Sequence, residues 1–187
     1  LARAGFELVG VDRAEQMLRR ARARARQEGL DIRFLHADLL DMDLGQTFEA
    51  AVCMHSGLDY ILDLDDLAQV LGRLRAHLRE GGLLAYDKCL DEPQFYREAY
   101  TDTRQLEGGA AVFGYRWDRE SRIFEQRCVV MREGADGQIQ RTEFLHRLLA
   151  VPLGELLDIT RQAGFEVLEP PRRFTVPDPG MGIFRAV

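Results

Sequence analysis

One stretch near the start of the chain, Ala4-Gly5-Phe6-Glu7-Leu8-Val9-Gly10-Val11-Asp12, constrains the fold more than any other. Gly5 occupies the place that follows a helix's last turn, where a left-handed backbone is free of Cβ strain. Leu8 to Val11 then run apolar and β-branched without polar alternation, which predicts a strand buried on both faces. Such a strand belongs in a parallel sheet, and Asp12 would stand at its carboxyl edge, where open α/β sheets bind ligands. An acid there either accepts both hydroxyls of a ribose or caps the helix that follows. The same transition recurs as Ala163-Gly164-Phe165-Glu166-Val167-Leu168, so a helix ending at Ala4 and starting upstream of Leu1 is expected.

The rhythm repeats along the chain. Residues 13 to 28 predict a helix with the stripe Ala14, Met17, Leu18, Ala21 and Ala25, its arginines 19, 20, 22, 24 and 26 forming a solvated face. After Gly29, a strand at Ile32 to Leu35 leads into His36-Ala37-Asp38-Leu39 and puts a second carboxylate at the edge shared with Asp12. Glu49 to Met54 predicts a central strand, left through His55-Ser56-Gly57. Asp63 and Asp65 are placed to cap a helix carrying Leu64, Leu67, Leu71, Leu74 and Leu78, with Gly81-Gly82 as its stop. A strand at Leu83 to Asp87 follows. Strand, helix, strand in short-linked succession is the pattern of a parallel sheet wound by right-handed crossovers.

From Cys89 the pattern changes. A helix is expected over Glu92 to Tyr100, then three β-rich runs at Ala111 to Trp117, Arg122 to Arg132 and Ile139 to Leu149, the last two joined through the turn signal Asp136-Gly137. After Pro152 a helix with Leu153, Leu156, Leu157 and Thr160 precedes the strand Phe165 to Leu168, and Met181 to Val187 reads as a last, edge strand. Residues 1–88 and 151–187 therefore form an α/β core. Residues 89–150 form an insertion of one helix and a three-stranded antiparallel meander, whose Phe113, Tyr115, Trp117, Phe124 and Phe144 either cover a site as a lid or pack on the sheet.

Composition narrows the partners. A net charge of −6 over 187 residues gives no broad attraction to nucleic acid. No apolar run is long enough to cross a membrane, and the chain does not open as a secretory signal. Cys53, Cys89 and Cys128 lack metal-ligand spacing, so no metal is expected, and an odd count of scattered cysteines suits reduced thiols in a cytoplasm. Lys88 is the only lysine; every other basic residue is arginine. Nothing in the sequence speaks to oligomeric state.

Taken together these stretches resemble the class I S-adenosylmethionine-dependent methyltransferases. Val9-Gly10-Val11-Asp12 with Met17-Leu18 is similar to the family's second motif, and Phe34-Leu35-His36-Ala37-Asp38-Leu39 to the next. Phe48-Glu49-Ala50-Ala51-Val52 resembles the approach to its fourth strand, and Leu78-Arg79-Glu80-Gly81-Gly82-Leu83-Leu84 the turn before its fifth. The resemblance implies a Rossmann-like, doubly wound, mostly parallel sheet and S-adenosylmethionine as cofactor. It assigns Asp12, with Arg13 and Met17 beside it, to the ribose, and Asp38 with Leu39 to the adenine. It also implies a first strand and glycine-rich loop, which this sequence does not contain. The chain is thus expected to begin inside a longer protein, to lack that strand between those ending at Asp12 and Met54, and to be inactive as written.

Methyl transfer from a sulfonium asks a protein chiefly to position the reactants and exclude water, although a hydroxyl or carbon acceptor would want a base. His55 and Tyr60 are the expected catalytic residues, with His55 and Ser56 also beside the cofactor; His146 is a weaker candidate. His55-Ser56-Gly57-Leu58-Asp59-Tyr60 lacks the acid or amide, two prolines and aromatic of the methyltransferases that act on base amines, which favours a small-molecule acceptor. Two other readings stay open. A nicotinamide-dependent dehydrogenase would share Asp12 but give Asp38 no required role, and a non-catalytic binding or interaction subunit would have a degenerate cofactor site.

Overall fold

A computed structural model describes residues 1–90, 99–170 and 181–187. The chain divides into two compact units, Leu1–Gln46 and Thr47–Val187. Among the described residues no helix is long and apolar enough to cross a membrane.

Leu1–Gln46 starts with a 3-10 turn over Ala2–Ala4, closed by Gly5 at φ 88°, whose N–H bonds to the Ala2 carbonyl at 2.9 Å. Strand β1 (Val9–Asp12), helix α1 (Glu15–Gln27) and strand β2 (Arg33–His36) follow. The strands are parallel, with Gly10 opposite Phe34 and Asp12 opposite His36. Phe34 explains the glycine inside β1. A Cβ on Gly10 would stand 2.7 Å from Cδ1 and 2.9 Å from Cε1 of its ring, so the ring edge fills the space a side chain would need. β1 is half-buried rather than covered on both faces: β2 pairs with it, and no other described strand does. In α1, Leu18 and Ala25 are buried, while Met17 is 52% exposed.

Among its described residues, Thr47–Val187 holds two sheets. The first has the order β3-β4-β10-β9, from Phe48–Cys53, Leu78–Asp87, Met181–Ala186 and Phe165–Glu169. β3 and β4 are parallel, and β10 runs antiparallel to both its neighbours. The expected edge strand is therefore an inner one, and β9 takes the edge. Its composition agrees, since Gly182, Phe184 and Ala186 are buried.

Helix α2 (Leu64–Ala76) is capped by Asp63 alone of the two expected acids: its Oδ1 accepts from the N–H groups of Asp65 at 2.8 Å and Asp66 at 3.2 Å. The helix stops at Ala76, short of the expected glycine pair. Leu78 already pairs with Phe48, and Gly81-Gly82 lie within β4, where the register slips and Gly81 adopts φ 72°. A Cβ on Gly82 would come within 2.9 Å of the Arg79 carbonyl, so these glycines serve a bulge rather than a helix end.

The second sheet is antiparallel, β5-β6-β7-β8, from Ala99–Leu106, Gly109–Asp118, Ile123–Glu133 and Ile139–Leu149. It has four strands where three were expected. The extra one, β5, is polar and exposed over most of its length, so it lacks the alternation that marks a half-buried strand. The helix expected over Glu92–Tyr100 falls mainly on 92–98, outside the described residues; its last two residues, Ala99 and Tyr100, open β5. The chain enters and leaves this region side by side, because Leu90 bridges Val151 and the Val151 N–H bonds to the Cys89 carbonyl at 3.1 Å.

Helix α3 (Leu153–Gln162) takes part in a buried polar contact of the core. Tyr86 stacks on Phe184 with ring centroids 4.7 Å apart, and its hydroxyl meets Thr160 Oγ1 at 2.8 Å. Thr160 donates in turn to the Leu156 carbonyl at 2.8 Å. Burial pushes the Tyr86 hydroxyl's pKa far above its usual value, so it stays neutral. We expect Thr160→Val, which strands that hydroxyl, to cost about 1–3 kcal/mol in urea unfolding, and Tyr86→Phe to cost about 1 kcal/mol because Thr160 keeps its backbone acceptor. The double variant should lie near Tyr86→Phe; simple additivity would show that the two groups do not act as a pair.

Candidate active site

In Leu1–Gln46 the parallel register of β1 and β2 brings Asp12 and Asp38 to one edge. Both of Asp12's expected roles are open to it at once. Oδ1 accepts from the Ala14 N–H at 2.8 Å and caps α1, while Oδ2 has no partner among the described residues. The capping is needed because Ala14, at the N-cap position, has no side chain to do it.

His36 at the end of β2 reaches back through Nε2 to the Arg13 carbonyl at 2.8 Å, and the Ala37 N–H reaches the Asp12 carbonyl at 3.3 Å. These two bonds close the strand ends against each other. Asp38 Oδ1 accepts from the Leu40 N–H at 3.1 Å, leaving the Leu39 N–H without a partner among the described residues. Arg13 Nη1 lies 3.9 Å from Asp38 Oδ2, an exposed pair worth little in stability. Met17, expected beside the cofactor, is exposed on α1 and takes no part in these bonds.

In Thr47–Val187 the loop leaving β3 is held open by strain and a carboxylate. His55 and Ser56 adopt φ 61° and 62°, a region that disfavours side chains, and Asp87 at the end of β4 compensates. Asp87 Oδ2 accepts from the His55 N–H at 2.8 Å and Oδ1 from the Ser56 N–H at 2.9 Å. The His55 imidazole has no hydrogen-bond partner among the described residues.

A 3-10 turn over Gly57–Tyr60 follows. Gly57 is required at its start, since a Cβ there would stand 2.7 Å from Cys53 Sγ. Burial, reinforced by the charges of Asp87 and Asp59, pushes the Cys53 thiol up to about 11, which makes it a packing residue rather than a nucleophile. Tyr60 bonds to His146 on β8, hydroxyl to Nδ1 at 2.7 Å.

Residues 1–82 match the methyltransferase-domain family. A protein of Geobacillus sp. (strain WCH70) assigned to the methyltransferases is 26% identical over 181 residues, 94% of this chain and 71% of its own length. The dTDP-3-amino-3,4,6-trideoxy-α-D-glucopyranose N,N-dimethyltransferase of Streptomyces venezuelae is 28% identical over 96 residues, 51% of this chain and 37% of the relative. Among solved structures, the CcbJ methyltransferase from Streptomyces caelestis superimposes with a TM-score of 0.85 at 22% identity, covering 100% of this chain and 77% of that one. The fold is that of the S-adenosylmethionine-dependent methyltransferases, and residues 1–82 carry the methyltransferase-domain match.

The residues that sequence reasoning passed over are those that hold the others in place. Asp87 was legible as an acid at a strand end but its partners lie 31 and 32 residues away. Lys88 and Asp59 form a buried ion pair, Nζ to Oδ1 at 2.9 Å, with side chains 0% and 3% exposed. Lys88 also donates to the Leu149 carbonyl, and Asp59 Oδ1 accepts from the Cys89 N–H at 2.8 Å. The available signal was Lys88's singularity in an arginine-rich chain: a compact ammonium, unlike a guanidinium fork, fits among three buried segments. We expect Lys88→Met to cost about 3–5 kcal/mol by leaving Asp59 charged and unpaired. Adding Asp59→Asn, which keeps an acceptor for Cys89, should recover much of that loss in urea denaturation; no recovery would mean that the ion pair is not the cause.

Proposed function

We propose that this chain is a methyltransferase that binds S-adenosylmethionine through the Asp12 and Asp38 edge and methylates a nitrogen of a small molecule. The observation that carries the reading is the division of labour at Asp12, where one oxygen caps α1 and the other stays available to ribose hydroxyls. The donor set fits the nucleoside: a free carboxylate oxygen for the sugar, and Asp38 with the Leu39 N–H for the adenine edge. Capping fixes the carboxylate before the ligand arrives, so binding loses little side-chain freedom.

When bound, the cofactor supplies an already activated methyl group on a sulfonium. The chain's residues then have to orient and shield it. We assign His55 and Ser56 to the cofactor's vicinity, their backbone set by Asp87, and His55 and Tyr60 to the acceptor's. A small amine acceptor is supported by the dimethylated amino sugar in the name of the Streptomyces venezuelae relative, and by the net charge of −6, which does not favour nucleic acid. All three cysteines are free thiols, which suits a cytoplasmic location.

Asp12→Ala in the intact protein should weaken S-adenosylmethionine binding by about 1.5–3 kcal/mol, the range for hydrogen bonds to a charged group, read by calorimetry. Unchanged affinity would leave Asp12 as a helix cap only. Asp38→Asn should weaken S-adenosylmethionine and its demethylated product alike, because they share the adenine. A ligand lacking the adenine amino group should be insensitive to that change, and an equal loss for it would point to structural damage instead.

A further inference from the structure

We propose that Tyr60 and His146 act as a proton-accepting pair for the acceptor amine, Tyr60 receiving the proton and His146 holding it; this rests on the methyl-transfer reading above. The two residues are 86 positions apart, yet the hydroxyl and Nδ1 meet at 2.7 Å, with the rings edge to face and centroids 5.9 Å apart. Tyr60 is 39% exposed, so a ligand can reach it, and its partner His146 is half-buried. His55, the other histidine near the β3 exit, has no group among the described residues that orients its ring. A base needs both reach and an orienting partner, and Tyr60 with His146 has both.

The surroundings are built to hold this contact. Asp59, one residue before Tyr60, receives the Lys88 ammonium, and the same ammonium donates to the carbonyl of Leu149 on the strand that bears His146. One buried cation therefore fixes the turn carrying the hydroxyl and the strand carrying the imidazole. His146 also lies in a cross-strand row with Gln126, Tyr115 and Tyr100, the two tyrosines stacked at 4.4 Å. Lys88 and Asp59 are thus positioning residues for the pair.

The step balances without any co-reactant. An amine that arrives protonated gives one proton to the Tyr60 oxygen, and the electron pair that held it stays on nitrogen. The hydroxyl's own proton passes to His146 Nδ1, leaving Tyr60 neutral and the imidazole cationic. His146 then returns a proton to water.

The test joins a spectroscopic readout to turnover in the intact protein. A long-range proton–nitrogen NMR spectrum at neutral pH should show His146 with Nδ1 unprotonated, and Tyr60→Phe should shift that nitrogen's resonance. With S-adenosylmethionine and a mixture of glycine, ethanolamine, D-glucosamine and tyramine, Tyr60→Phe and His146→Gln should each lower methylation about tenfold or more. Their affinity for S-adenosylmethionine should stay within about twofold of the wild type, which also shows that they fold. A proton on Nδ1 overturns the proposal, because Tyr60 could not pass its proton there. Wild-type rates in both variants overturn it too, as does a wild type that binds S-adenosylmethionine but methylates none of the amines. A wild type that binds no S-adenosylmethionine instead sinks the methyl-transfer reading on which the proposal rests.

Discussion

A buried ammonium is the contact on which the arrangement within Thr47–Val187 depends. Lys88 follows directly after β4, and its Nζ meets Asp59 in the turn after β3 and the Leu149 carbonyl at the end of β8. Three segments far apart in sequence converge on one charge. Removing a lysine and an aspartate from water costs several kcal/mol per ion, and only close geometry with additional hydrogen bonds offsets that. Here the Cys89 N–H and the Leu149 carbonyl supply those bonds. Such a pair adds little net stability over a well-packed apolar contact, so its contribution lies in fixing which segments meet.

Asp87 works beside it by different means. Its two oxygens accept the consecutive N–H groups of His55 and Ser56, holding two non-glycine residues in the left-handed region. Strain of this kind costs about 1–3 kcal/mol per residue and persists where surroundings over-determine it. Adjacent residues at one strand end thus set both the backbone of the loop, through Asp87, and the position of the turn after it, through Lys88. In Leu1–Gln46 the same economy appears at Asp12, whose carboxylate is oriented by capping α1 while it keeps an oxygen for a ligand.

What could be read from the chain follows from local physics. Gly5 does adopt the left-handed conformation that its place after a helical turn demanded, and Asp12 and Asp38 stand at one edge because parallel strands of similar length end together. The misreadings have equally local causes. β5 was missed because its residues are polar and mostly exposed, leaving no alternation to detect. The end of α2 was set too late because Leu78 continues the helical leucine spacing, although its burial comes from pairing with Phe48 in β4. Met17 fits the helical stripe by spacing, yet it remains exposed.

The sequence by itself determined the parallel strand–helix–strand units, the two acids at their carboxyl ends and the antiparallel region within the α/β chain. Each of these depends on periodicity, capping or turn chemistry acting over a few residues. Only tertiary structure decided that β10 lies between β4 and β9, that Lys88 is buried against Asp59, and that Tyr60 meets His146. Those are pairings between distant segments. Hydrophobic patterning says that a strand or turn must be buried or exposed, but it does not say against which partner, because the driving force for burial is non-directional.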